Sequence, residues 1–357
     1  MKTLLTPLIA LATIGAAPVP KPALAPSEIV AAAPASDWEA IAPADLLVMT
    51  LGNGKRVVIQ LMPPPFSQGW IGNIRKLAAA HFWDGTSINR VQDNYVVQWG
   101  DASEKKALPV GLVTVGESGY SANYGLAAVS QWIAYDRFAS DREASERLVD
   151  DAAFRAKGEK INAESKRDPA GYTTPIVQNA QADGRRPLAN LEEWRLKPDA
   201  YSRRTGIWQG WAIASDQKQV WPVHCYGMVG VGRNLSPDTG SGAELYTVIG
   251  HAPRHLDRNI AVVGRVIAGI ENLSSLPRGT GALGIYEKPE ERVAITSIRL
   301  ASELPATEQP RFEYLSTESK SFAAYADARA NRRDPFFIRP AGGADICNIP
   351  VPVRKKP

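Results

Sequence analysis

Apolar positions cluster in two separate stretches of the chain, and both stretches predict short strands joined by turns. In residues 46–61 (LLVMTLGNGKRVVIQL), two apolar runs flank Gly52-Asn53-Gly54, a combination typical of a β-hairpin. A proline run at 63–65 follows, and residues 70–85 then place apolar side chains on one face of a helix. Residues 87–101 (SINRVQDNYVVQWGD) are rich in β-formers and predict further strands.

The intervening region, 102–222, has a different pattern. Segment 137–167 is dense in charged residues and alanine, which predicts an exposed helix or a helical pair. Segment 168–206 is rich in Pro, Gly, Asn and Arg and predicts an extended loop. A strand pair is predicted at 207–214 and 219–223. The region therefore predicts a helical and loop insertion that ends in a short hairpin.

The second strand-rich stretch covers 224–302. It contains four apolar runs, GMVGVG, ELYTVIG, NIAVVGRVIAG and VAITSIRLA, and each predicts a strand. Beyond it, 317–332 predicts a helix that ends before Asp334-Pro335, and 341–357 shows no regular pattern. No repeat of fixed period is present, so a propeller or a solenoid is not expected.

Composition and charge narrow the function classes. The chain of 357 residues is 44% hydrophobic and 22% charged, as in globular proteins. A formal net charge of +4 is small for this length, and the sequence has no basic stripe, so we do not expect nucleic-acid binding.

The N-terminus carries the pattern of a signal peptide. Lys2 precedes an apolar run that is too short to span a bilayer, so no membrane span is expected. Cleavage after Ala23-Leu24-Ala25 and cleavage after Ala33-Pro34-Ala35 are alternatives. The pattern predicts a periplasmic or secreted protein; the competing interpretation is an N-terminal helix packed on the domain.

Cys225 and Cys347 are the only cysteines. In an oxidising compartment an isolated pair favours a disulfide over two free thiols. His224, Cys225, His251 and His255 are candidate zinc ligands, and His251 and His255 have helical spacing. Pro253 interrupts that segment, so we do not expect a metal site. The absence of a G-x-S-x-G motif argues against a serine hydrolase.

The first strand-rich stretch contains the motifs DGTSINRV and NYVVQWGD, and the second contains GMVGVGR and GAELY. These two blocks resemble cyclophilin-type peptidyl-prolyl cis-trans isomerases. The resemblance covers 46–101 and 223–302. It implies a mainly β fold, a closed eight-stranded antiparallel barrel capped by two helices, with a long, partly helical insertion. The corresponding division of the chain is 1–35 leader, 36–101 first half of the barrel, 102–222 insertion, 223–302 second half and 303–357 C-terminal extension.

The same resemblance assigns roles to individual residues. The family's catalytic arginine falls on Arg90 and its glutamine partner on Gln98. The implied proline pocket and peptide-binding surface comprise Asn89, Tyr95, Val96, Val231, Gly232, Arg233, Glu244, Tyr246, Leu256 and Ile260. This sequence departs from the family pattern at Asn89 and Ile260, where His is usual, at Glu244 (Gln), at Tyr246 (Phe) and at His255 (Trp). For Glu244 two interpretations stay open, a solvated carboxylate and a salt bridge that holds Arg90.

An arginine suits this chemistry. Rotation about an X–Pro bond crosses a barrier of ~18–20 kcal/mol because it destroys amide resonance. A guanidinium that donates to the pyramidal proline nitrogen stabilises the twisted state more than either planar state. The expected protein is thus a monomeric, cofactor-free isomerase that acts on proline-containing polypeptide clients during folding of envelope proteins. The departures leave two alternatives, a catalytically weak peptide-binding or chaperone module and a scaffold whose insertion recruits a partner.

Overall fold

A computed structural model of the protein describes residues 23–123, 199–216, 218–341 and 343–356. The predicted helical segment 137–167 and most of the predicted loop 168–206 lie outside these residues, so both stay predictions.

The described residues form fifteen strands and four α-helices. The strands are β1 (Trp38–Ala40), β2 (Leu46–Leu51), β3 (Arg56–Leu61), β4 (Ser87–Val91), β5 (Val96–Gly100), β6 (Ala122–Asn123), β7 (Arg204–Trp208), β8 (Trp211–Ser215), β9 (Gln219–Pro222), β10 (Met228–Val231), β11 (Leu245–Val248), β12 (Val262–Ala268), β13 (Val293–Leu300), β14 (Phe312–Leu315) and β15 (Val353–Lys355). The helices are α1 (Pro26–Ala32), α2 (Gln68–Ala79), α3 (Glu271–Ser274) and α4 (Lys320–Ala330).

Eight of these strands close into a barrel in the order β10-β11-β5-β4-β13-β2-β3-β12, and β12 pairs back with β10. Every pair in the barrel is antiparallel. Closure removes the free edges that an open sheet would expose. The predicted mainly β fold with a closed eight-stranded barrel is therefore confirmed, as are the hairpin at 46–61 and the four strands after residue 223.

Side-chain alternation along the strands separates the barrel core from its outer face. In β5, Val97 and Trp99 belong to the main core, whereas Val96 belongs to a small separate apolar cluster. In β11, Leu245 faces the core, while Tyr246 lies in that second cluster with Val96. The outer faces of β5 and β11 are thus partly apolar and can form a site.

Two helices lie against the barrel, as predicted. The longer one, α2, packs on β12 and β13 and fully buries Ile74 and Leu77. The short helix α3 directly follows β12 and buries Leu273. A further helix near the N-terminus, α1, packs against α4.

The described part of 102–222 is richer in strand than its composition predicts. Strands β6, β9, β8 and β7 form a four-stranded antiparallel sheet in that order. The predicted strand 207–214 is in fact a hairpin, because Gln209 and Gly210 both have positive φ, 45° and 84°. Positive φ at both central residues is the geometry of the tightest hairpin turns.

The two ends of the described chain meet in a third sheet, of order β1-β14-β15. The tail was predicted to be irregular, but Val353–Lys355 pairs with β14. The tail also carries Cys347, which is bonded to Cys225 at a Cα–Cα distance of 5.1 Å.

Part of the predicted leader is folded against the domain. Helix α1 and Ala33 lie within residues 1–35, and Ala33 packs into the main core. Cleavage after Ala25 would keep this helix, whereas cleavage after Ala35 would remove it. No helix in the described ranges is long and apolar enough to cross a membrane.

Candidate functional site

Four residues from four adjacent strands form one row across the barrel. Arg90 of β4 pairs with Gln98 of β5, Gln98 pairs with Tyr246 of β11, and Tyr246 pairs with Gly230 of β10. A register shift between Ile88 and Arg90 in β4 sets this alignment. The row brings the two predicted catalytic residues next to the predicted proline pocket.

Arg90 is half-buried and held by several acceptors. Its Nε donates to the carbonyl of Leu283 at 2.7 Å, one Nη donates to Gln98 Oε1 at 3.1 Å, and the other donates to Gln92 Oε1. The guanidinium also lies 5.6 Å from the ring centroid of Tyr95. These bonds use three of its five N–H donors, which leaves two without a partner among the described residues.

In its surroundings the side chain of Arg90 remains positively charged. Burial lowers the pKa of Arg90 below its usual value, while the nearby Tyr95 and Glu244 oppose that shift. An arginine pKa has a wide margin above neutrality, so the side chain stays charged.

Glu244 reaches Arg90 through Gln98, not directly. The Gln98 side chain hydrogen-bonds to the Glu244 carboxylate while its Oε1 accepts from Arg90. The ion pairs of the described residues do not include Arg90 with Glu244, so the interpretation as a direct salt bridge is wrong. The reason is the register of β4, β5 and β11, which places the glutamine between the two charges. Burial raises the pKa of Glu244, and the Gln98 hydrogen bond works against that rise.

The predicted pocket residues form one apolar cluster beside this row. Val96, Tyr246 and Val248 are its buried members, and Tyr95, Leu256 and Ile260 pack against them while partly exposed. His255, on the short helical turn before Asp257, stacks on Tyr95 with the ring planes 10° apart. The cluster therefore presents an apolar surface whose exposed members lie around Tyr246.

A groove of about 590 Å³ runs along the other side of Arg90. Asn89, Gly232, Arg233 and Glu244 line it together with Gln98. Asn89 is turned into the structure, since its side chain donates to the carbonyl of Gly100 and accepts from Ser87. Val231 is fully buried, so its side chain cannot touch a peptide.

The residues weighed for zinc are engaged elsewhere. Cys225 is in the disulfide, and both ring nitrogens of the buried His224 have hydrogen-bond partners. Within the described ranges no group of three or more His, Cys, Asp or Glu could hold a metal ion.

A family model, described as cyclophilin type peptidyl-prolyl cis-trans isomerase/CLD, matches residues 47–300. The chain belongs to this cyclophilin family. A cyclophilin from Hirschia baltica has the same fold at a TM-score of 0.56 and 18% identity, with 89% of this chain and 92% of that chain covered. No curated protein matches the chain.

A second solved structure is more distant. It is a cyclophilin-type peptidyl-prolyl cis-trans isomerase of Cryptosporidium parvum, determined in the presence of the dipeptide Ala-Pro, with 10% identity, a TM-score of 0.33, and 71% of this chain and 98% of that chain covered. A score this low supports no further argument. The family match makes this protein a peptidyl-prolyl cis-trans isomerase by class.

The sequence did not reveal three neighbours of the cyclophilin site. Gln92 has the same strand parity as Arg90, which was an available signal. Leu283 contacts Arg90 through its backbone carbonyl, so its side chain gave no signal. His224 was noticed only as a metal candidate; its contact with Tyr246, 22 positions away, requires the folded barrel.

Proposed function

We propose that this cyclophilin catalyses X–Pro rotation by electrostatic stabilisation of the twisted amide, with Arg90 as the donor. The observation that carries the proposal is the position of Arg90, between the Tyr95 and Tyr246 cluster and the groove, with two N–H groups free of partners among the described residues. A proline ring held on the cluster would bring its nitrogen within reach of those donors.

The surrounding residues fix the donor before the substrate arrives. Gln98 and the Leu283 carbonyl hold the guanidinium from two sides, so little reorganisation is needed as the nitrogen becomes pyramidal. Partial burial strengthens the interaction because the local dielectric is lower than in water. Shortening a reaction of tens of seconds to milliseconds requires about 6 kcal/mol of transition-state stabilisation.

We further propose that the clients are proteins folding in the cell envelope. The apolar N-terminal run behind Lys2 favours export, and a disulfide is a feature of oxidising compartments. Slow X–Pro isomerisation limits the folding of many chains there as elsewhere.

The test is turnover of a short proline-containing peptide by wild type, Arg90→Ala and Arg90→Lys. We expect Arg90→Ala to lower kcat/KM by about 10²–10³-fold, the loss seen when one preorganised transition-state donor is removed. Arg90→Lys should recover little, since an ammonium lacks the planar fork that Gln98 and Leu283 hold.

The matched control is Arg56→Ala. Arg56 is also an arginine on a barrel strand, but its ion pair with Glu308 is exposed, so its loss should leave turnover unchanged. Unchanged turnover in Arg90→Ala would refute the role of Arg90. Peptide binding without turnover in the wild type would instead favour a binding or chaperone module.

A further inference from the structure

A hydrogen-bonded chain of buried polar side chains leads from the proline pocket to Asp199, within the insertion 102–222. It consists of Tyr246, His224, Asp257, Arg254 and Asp199. The side chains of the last four members are 5% exposed or less. Buried polar groups are costly unless they are paired, so the pairing within this chain has structural weight.

The Tyr246 hydroxyl is anchored by His224. Its oxygen lies 2.9 Å from His224 Nε2, and the two rings are stacked 9° apart. His224 Nδ1 lies 2.9 Å from Asp257 Oδ1. Because a carboxylate only accepts, Nδ1 donates to Asp257, which leaves Nε2 as the acceptor for the tyrosine hydroxyl. Burial raises the pKa of Tyr246 well above its usual value, which keeps the phenol protonated and able to donate.

Asp257 is fixed in turn by two further groups. Its Oδ1 also accepts from the backbone N–H of His224 at 3.0 Å, and its Oδ2 accepts from Arg254 Nε at 2.7 Å. Asp257 directly follows the helical turn Arg254–Leu256. That turn carries Leu256, a wall of the pocket. The carboxylate thus supports both the aromatic side and the aliphatic side of the proline cluster.

The chain ends on Asp199, which lies within the insertion 102–222, shortly before β7. Both Nη atoms of Arg254 donate to the Asp199 carboxylate, at 2.8 and 3.2 Å, a bidentate pair. The Tyr201 ring covers the same guanidinium at 5.1 Å. The pocket wall is therefore tied to the part of the insertion that leads into β7.

We infer that His224 and Asp257 are positioning residues for proline binding, and that through Asp199 the part of the insertion just before β7 also supports the pocket. The inference rests on the proposed function, since it assigns the proline ring to the Tyr246 cluster. An unanchored Tyr246 ring would sample more orientations. We therefore expect its loss of anchoring to weaken binding of the proline ring more than it slows the chemical step.

The first experiment measures kcat, KM and the Kd of a proline-containing peptide for Tyr246→Phe. This variant removes one oxygen and keeps the ring. We expect KM and Kd to rise about tenfold, the fold-change that corresponds to one hydrogen bond, with kcat within about twofold of wild type. Tyr325→Phe is the control, because it also removes a hydroxyl that donates at 2.6 Å, in this case from α4 to the carbonyl of Pro350, and it should leave all three values unchanged.

Two isosteres of His224 separate its two contacts. His224→Gln places an acceptor near the position of Nε2, whereas His224→Asn keeps only a donor near Nδ1 for Asp257. Gln should bind peptide more tightly than Asn, and the difference should vanish in the Tyr246→Phe background. A merely structural histidine would give the same change in both backgrounds, and that additive result would overturn the inference.

Asp199→Asn keeps the shape of the side chain and weakens the pair with Arg254. We expect it to raise KM by a few fold in wild type and by less in Tyr246→Phe. Equal changes in both backgrounds would show that Asp199 does not act on binding through Tyr246. This test does not depend on the His224 variants, so it holds even if both of them fail to fold. Two different measurements test the proposed function and this inference. Absence of turnover in the wild type would refute the proposed function. Additive changes in peptide Kd would refute the positioning role of the hydrogen-bonded chain.

Discussion

Gly230 lies directly beneath the Tyr246 ring, and an alanine at this position tests whether the pocket depends on that contact. A Cβ on Gly230 would lie 2.3 Å from both Cζ and Oη of Tyr246 and 2.7 Å from Cε1. Non-bonded carbon atoms rest at about 3.5–4.0 Å, so the ring would have to move by more than about 1 Å. The backbone itself is no obstacle, because Gly230 is not among the positive-φ glycines.

The displacement has two costs. Overpacking in a well-packed region costs about 1–3 kcal/mol, and loss of the Tyr246–His224 hydrogen bond adds about 1–3 kcal/mol. We therefore expect Gly230→Ala to lower the free energy of unfolding by roughly 2–6 kcal/mol. A misplacement of about 1 Å at a binding wall also predicts a fall in kcat/KM of about 100-fold.

Urea unfolding and the peptide turnover assay measure both effects, with Gly72→Ala as the control. Gly72 lies inside α2, and its Cβ would meet nothing within 4 Å, so alanine there should stabilise by ~0.5–1 kcal/mol and leave turnover intact. Adding Tyr246→Leu to Gly230→Ala should recover the overpacking part of the loss, because the smaller side chain removes the overlap, and should leave the part that comes from the missing Tyr246–His224 hydrogen bond. Wild-type stability and turnover in Gly230→Ala would refute the reasoning.

Two carboxyl groups beside the groove predict pH effects of opposite sign. Burial raises the pKa of Glu244 above 4.5, so the folded state holds this proton more tightly and unfolding free energy falls as pH rises past that value. We therefore expect the stability of Glu244→Gln, measured by urea unfolding and compared with wild type, to improve between about pH 4 and about pH 7. A difference between variant and wild type that is the same at both pH values would contradict this. Burial opposes the shift at Asp101, but hydrogen bonds from the backbone of Lys106 and from Ser103 lower its pKa from 3.8 to about 2. Its stabilisation is present above pH 3.8 and lost towards pH 2. Asp101→Asn should thus lower the urea midpoint at neutral pH and match wild type near pH 2, and a penalty that does not change with pH would count against it.

Strand existence was predictable where the apolar pattern was strong. The hairpin at 46–61 and the strand starting at Val262 have apolar runs bounded by turn residues, and both form as expected. Closure of the barrel was implied by the family resemblance alone. In contrast, Val353–Lys355 has little apolar pattern and becomes a strand because β14 offers its backbone groups a partner.

The residues of the site could be predicted from the sequence, but the contacts between them could not. Arg90 and Gln98 have the same parity, yet the turn and the register shift between them left open whether they share a face. The same uncertainty produced the wrong salt bridge for Glu244, since a carboxylate just before the start of β11 reaches β4 only across β5. No periodic signal links His224 to Asp257, because their contact depends on tertiary packing.

The order of strands around the barrel has a consequence for synthesis of the chain. One edge of β5 pairs with the adjacent hairpin strand β4, but the other pairs with β11, where Trp99 faces Leu245. At roughly 5–20 residues per second, the ribosome needs about 10–30 s to extend the chain between these two partners. During that interval β5 presents an unpaired edge of the kind that recruits other chains. A protein proposed to assist the folding of others therefore passes through a half-barrel that itself requires protection from aggregation.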